Sequence, residues 1–143
     1  MTPFVLQCGR PLLPIALSSL PLTAVPEVPS KEECDALLAE LDAVHDPRLI
    51  VLGTDASLAA VLTRLMRRDR LDIELAYVAE TASEASHLFR VGTGSRAAKV
   101  ALSGTASPVP LIRDDAGSAV VGLAPVSGPS GHLVGEAYVD DTK

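Results

Sequence analysis

The stretch Leu49-Ile50-Val51-Leu52-Gly53-Thr54-Asp55-Ala56-Ser57, continued by Leu58 to Arg68, decides how this chain is read. Leu49 to Leu52 are apolar without alternation, which suits a strand covered on both faces. Leu58, Val61, Leu62, Leu65 and Met66 recur at helical spacing, so a helix with one buried stripe is predicted from about Ser57 to Arg68. The bend at Gly53-Thr54-Asp55-Ala56-Ser57 is therefore a strand-to-helix turn. In an open α/β sheet such turns sit at the carboxyl edge of the strands, where ligands bind. The first N–H groups of a helix lack intrahelical acceptors and carry positive dipole charge, a setting that suits phosphate. A phosphate cradle normally has several glycines; this turn has Gly53 alone.

The flanking sequence extends the same pattern. Phe4 to Gln7 predicts a first strand, and either Ile15 to Leu17 or Leu20 to Ala24 a second, broken by prolines. Pro26-Glu27-Val28-Pro29 reads as a rigid connector. Ser30-Lys31-Glu32-Glu33 has the form of a capping box. Cys34, Leu37, Leu38, Leu41 and Val44 then predict a helix over 31–44, ended by Asp46-Pro47. Beyond the central helix, Ile73 to Val78 is a further strand, followed by a short helix with Ala85, Leu88 and Phe89 inward. Gly92-Thr93-Gly94-Ser95 is a turn from which Ser95 caps a helix carrying Ala97, Ala98, Val100, Ala101 and Leu102, stopped by Gly104. Repeated strand–helix units specify an α/β domain over residues 1–104, a parallel sheet with helices on both faces.

Residues 105–143 change character. Val109 to Ile112 and Ala119 to Leu123 flank an Asp/Gly turn as a β-hairpin. After Gly128-Pro129-Ser130-Gly131, Leu133 to Val139 predicts a third strand. This small antiparallel β-extension is expected to pack on the α/β part or against a second copy. An open edge strand there favours a homodimer or a protein partner.

Composition limits the partners. The 143 residues are 48% apolar and 21% charged, which is globular. Aromatics are 3% with no Trp, so stacking platforms for nucleic acid are scarce. The net charge of −6 also opposes a polyanion partner, though a single nucleotide could still be held by local amides. Leu12 to Leu22 is interrupted by Pro14 and Pro21 and is too short for a transmembrane segment, so a cytoplasmic protein is expected. Cys8 and Cys34 lack C-x-x-C spacing and read as two buried free thiols. His45, His87 and His132 are isolated, with no metal-ligand spacing. Arg64, Arg67, Arg68 and Arg70 lie at the far end of their helix, where cations complement its dipole.

The order of these elements resembles the catalytic-domain family of diacylglycerol kinases, with related lipid kinases and, more distantly, NAD kinases. Members carry a G-G-D-G-T turn after a buried strand, then a helix, a strand and a G-T-G-N-D turn. Here Gly53-Thr54-Asp55-Ala56-Ser57 stands at the first turn and Glu80-Thr81-Ala82-Ser83-Glu84 at the second. Ser95 to Gly104, Pro108-Val109-Pro110-Leu111 and the hairpin resemble the family's passage into its second domain. The resemblance covers roughly residues 45–125. A competing placement sets Gly92-Thr93-Gly94-Ser95 on the second turn, but there it follows helical Leu88-Phe89-Arg90 instead of a strand.

The resemblance implies a vestigial nucleotide site at Gly53, Thr54, Asp55, Ser57, Thr81 and Ser83, with ATP and Mg²⁺ as the cofactors of an active member. Family glycines have become Thr54, Ala56, Glu80 and Ala82. Where the family backbone is left-handed, a Cβ costs about 1–2 kcal/mol, and Glu80 would repel a triphosphate. The family's general base lies in a large second β-sandwich domain. Glu136, Asp140 and Asp141 are the carboxylates available late in this chain, and their spacing assigns none of them that role. No catalytic residue is therefore expected. Three readings follow: a degenerate, catalytically inactive module for binding, regulation or oligomerisation; an ATP-binding lipid kinase or NAD kinase-like phosphotransferase subunit completed by a partner; or an unrelated small α/β structural protein.

Overall fold

A computed structural model describes residues 1–135. Four strands, β1 (Thr2–Cys8), β2 (Leu22–Val25), β3 (Pro47–Leu52) and β4 (Glu74–Val78), pair in parallel in the order β2-β1-β3-β4. Val5 is level with Ile50, and Ile50 with Ala76, so alternate side chains leave opposite faces in register. On one face, Leu6, Cys8, Leu49, Val51 and Tyr77 pack against α1 (Lys31–Asp42) and α2 (Asp55–Arg67). On the other, Val5, Ile50, Leu52 and Val78 meet α4 (Gly94–Ser103) and one 3₁₀ turn, Ile15–Leu17. The first face is filled by leucines of α1 and α2. The second takes buried Ala97, Ala98 and Ala101 from α4, with Leu102 at its margin, and the small alanines let that helix lie close to the sheet. The α/β architecture with helices on both faces is the one its periodicity specifies.

Local sequence explains the helix ends. Ser30 Oγ accepts from the Glu33 N–H at 3.2 Å, and Glu33 Oε2 accepts from the Ser30 N–H at 2.7 Å, completing the expected capping box. At the end of α4, Arg48 supplies the cap. This arginine of β3 is only 7% exposed, pairs with Glu74 on β4, and donates to the Ala101 and Gly104 carbonyls. Gly104 stops α4 at φ −71°, without a left-handed cap; a Cβ there would lie 2.6 Å from the Val100 carbonyl.

Several expectations need correction. Ile15–Leu17 is not a strand, because the Leu17 N–H closes a turn onto Pro14 between two chain-stiffening prolines; the second strand is Leu22–Val25. The first helix ends at Asp42, so Val44 lies beyond it. Leu88 and Phe89 do not point inward: they are 60% and 36% exposed, because α3 (Glu84–Leu88) is short and turns Ala85 and Ser86 to the core. Thr93, not Ser95, is the N-cap of α4, with no side-chain bond. The arginines at the end of α2 do more than complement its dipole. Arg64 and Arg68 bind Asp35 on α1, Arg70 binds Asp42 and Asp72, and Arg67 reaches the Ala116 and Gly117 carbonyls.

In the extension, β5 (Ile112–Arg113) and β6 (Ala119–Val120) form an antiparallel hairpin shorter than predicted. It packs on α2: the Ala119 N–H donates to Thr63 Oγ1 at 2.9 Å, and Val121 enters the core of that face. Leu133 to Gly135 are not in a strand; the rest of the predicted third strand, with Glu136, Asp140 and Asp141, lies outside the described residues. Among the described residues no helix is long and apolar enough to cross a membrane.

Candidate functional site

The chain leaves β1 toward β2 on one side and leaves β3 toward β4 on the other. The first connection carries the 3₁₀ turn on one face, and the second carries α2 on the opposite face. The carboxyl ends of β1 and β3 are thus a topological switch point, where a parallel sheet opens a crevice. An open cleft of about 300 Å³ lies there. Gly9 and Arg10 border it from β1, Gly53, Thr54 and Asp55 from β3, and Tyr77, Glu80, Thr81 and Ser83 from β4 and the turn after it, with Glu27 closing one side. The bend of the Gly53 turn is therefore at the ligand-bearing edge.

Five of the six residues singled out from the sequence, Gly53, Thr54, Asp55, Thr81 and Ser83, line this cleft; Ser57 is buried behind it. Their chemistry differs from that of a phosphate cradle. Gly53 is required by packing, since a Cβ would lie 2.6 Å from Ser57 Oγ and 2.9 Å from Cys8 Cβ. Thr54 is extended, at φ −100°, so the Cβ penalty expected at a left-handed position does not arise there. Thr54 and Ser57 instead cap α2 reciprocally, and Ser57 Oγ donates onward to the Glu27 carbonyl. Ser83 caps α3 through the same reciprocal pattern with Ser86.

Asp55 is the hub. One carboxylate oxygen accepts from the Tyr77 hydroxyl at 2.8 Å, the other from the Ala85 N–H at 3.1 Å. Burial pushes the Asp55 carboxyl up, but hydrogen bonding from Ser83, the Ala85 amide and Tyr77 outweighs it and holds the group below the usual carboxylate range. Burial, assisted by the Asp55 charge, drives the Tyr77 phenol well above its ordinary value, so it stays a donor. The sequence reading missed Tyr77. Its signal is a hydroxyl-bearing residue in an apolar strand, on the face shared with Leu75.

The cleft's charges oppose a polyphosphate: Glu27, Asp55 and Glu80 face Arg10. What remains for an anion is the amides of Asp55 and Ala56, which have no acceptor among the described residues. The alternative turn, Gly92-Thr93-Gly94, has glycines at φ +75° and +49° and is tied to the sheet by a Gly94 N–H bond to the Ala79 carbonyl. It opens α4 and is not among the residues lining the cleft. Cys8 and Cys34 are free and buried, and burial pushes both thiols up to about 11. His45, His87 and His132 are separately exposed. Comparison with family models, curated proteins and solved structures finds no match to this chain.

Proposed function

We propose that this protein is a degenerate lipid-kinase-like α/β domain that does not transfer phosphate and acts as a binding or regulatory module. One observation carries the reading. The aspartate that an active relative would direct at phosphate and metal has both oxygens bonded within the fold, to Tyr77 and to α3. The Thr54 hydroxyl at the same turn and the Ser83 hydroxyl at the turn after β4 are likewise engaged as caps. Three carboxylates against one arginine further disfavour Mg-ATP as the natural occupant. Titration calorimetry with Mg-ATP, ADP, NAD and diacylglycerol tests this: no heat is expected from Mg-ATP at millimolar concentration. Saturable Mg-ATP binding with transfer of phosphate to a lipid hydroxyl would overturn it.

The second reading, a nucleotide-binding subunit completed by a partner, is favoured by the surviving switch-point cleft and the two open amides above it. The interaction face of the module is the outer edge of β5, whose Ile112 is 64% exposed. Homodimerisation through that edge gives a dimer mass in light scattering; a monomer at high concentration removes it. The two free thiols fit a reducing compartment, and hence the cytoplasm.

A further inference from the structure

The chain after the hairpin crosses the one place where the cleft's aspartate meets α3. An ideal Cβ built on Gly122 would lie 2.9 Å from Glu84 Cβ, 3.8 Å from the Ala85 amide nitrogen and 3.8 Å from Asp55 Oδ2. Gly122 has no positive φ, so glycine is needed here for close approach and not for its conformational freedom. One residue earlier, Val121 is buried in the α1/α2 core, and the Ala119 N–H is held by Thr63 on α2. The segment from Ala119 to Gly122 is thus anchored on α2 and pressed onto the first turn of α3.

From this juxtaposition we propose that residues 119–122 form a strap that holds α3 closed on Asp55 and so controls the cleft. Apart from Ala85 and Ser86, which it seats in the core, α3 has little else to keep it in place. It is five residues long, leaves Leu88 and Phe89 exposed, and is followed by Arg90 at φ +55° and Gly92 at φ +75°, two backbone bends that can serve as a hinge. It is joined to the cleft wall formed by Thr81 and Ser83. When the strap lifts, α3 moves away, the Ala85 amide leaves Asp55, and one carboxylate oxygen is freed beside the cleft. The segment after Gly122 carries exposed Leu123 and Val126 and adds no buried contact to the strap. This regulation rests on the second reading above, in which the cleft takes a ligand, but the strap itself is tested without any ligand.

Hydrogen exchange read by mass spectrometry on the full chain makes that test. Gly122→Ala places a methyl against Glu84 Cβ. Exchange in the peptide covering 84–89 is expected to rise roughly tenfold, the scale of losing one bond to a charged group, while α1 and β3 stay protected. Gly122→Ala combined with Glu84→Gly moves the Cβ from one partner to the other and is expected to restore protection relative to Glu84→Gly alone. Thr63→Val removes the strap's anchor on α2, away from the cleft, and is expected to raise exchange in the same peptide about three- to tenfold. Unchanged exchange over 84–89 in both Gly122→Ala and Thr63→Val overturns the strap. So does a rise spread equally over α1 and β3, or failure of the double variant to restore protection. None of these results bears on the Mg-ATP titration, so the two proposals fail separately.

Discussion

The two ends of α2 both cross-link the fold, but with different physics. At its N-terminus, Asp55 joins β4 and α3 through a half-buried carboxylate with both oxygens hydrogen-bonded, and Ser57 sits under Gly53 against Cys8. At its C-terminus, Arg64, Arg68 and Arg70 join α1 and the following turn through ion pairs with solvent-accessible acids. Hydrogen bonds to a charge screened from water are strong and costly to leave unmade. Exposed ion pairs are weakened by salt and by the entropy of two long side chains. The end that lines the cleft therefore also carries the stability.

Substitutions can break that contrast. Asp55→Ala leaves the Tyr77 hydroxyl and the Ala85 amide without an acceptor, and is expected to lower unfolding free energy by about 2–4 kcal/mol in urea. A change under ~0.5 kcal/mol would make Asp55 a free site residue. Because its carboxyl is held below the unfolded value of ~3.9, its bonds contribute fully above about pH 4 and are lost as pH falls through the folded value. The gap between wild type and Asp55→Ala should accordingly narrow in acid; a gap that widens below pH 4 contradicts the hydrogen-bonding role.

Gly53→Ala comes next. It forces a methyl against Ser57 and Cys8 and is expected to cost about 1–3 kcal/mol by overpacking. A neutral result, with gained affinity for phosphate, would mean that the turn is looser than its contacts imply. Asp35→Asn should have the smallest effect. The Arg64 and Arg68 guanidiniums hold the Asp35 carboxyl far below its ordinary range, yet all three groups reach solvent. Its melting temperature at 0.15 M salt is expected to be indistinguishable from wild type. A large drop would place the stronger cross-link at the C-terminal end and reverse the comparison.

Periodicity and capping explain what was legible in the sequence. Leu49 to Leu52 and Leu58 to Leu65 announce a covered strand and an amphipathic helix, and Ser30 with Glu33 marks a helix start to the residue. The carboxyl-edge position of Gly53 follows from strand-helix order alone. What pattern could not show is which partner each polar group takes. Arg48 adjoins an apolar run, and only the arrival of α4 from more than fifty residues later makes it a cap. Tyr77 looks like core until Asp55 is seen opposite its hydroxyl. Leu88 and Phe89 followed helical spacing, but a helix of five residues has too little length to bury a full stripe. Gly53 makes room for Ser57 and Cys8, and Gly122 for Glu84; the contacts with Cys8 and Glu84 come from distant segments, which no local rule reports.

Carbon-13 NMR of the Asp55 carboxyl, followed while Mg-ATP is added to several millimolar, probes the Gly53–Ser57 turn at its own atom. The carboxyl resonance and the Ala85 amide should both stay fixed, because Tyr77 and α3 keep the oxygens occupied. A saturable shift of the two together would mean that the aspartate exchanges its internal partners for metal and phosphate, and that the cleft binds nucleotide.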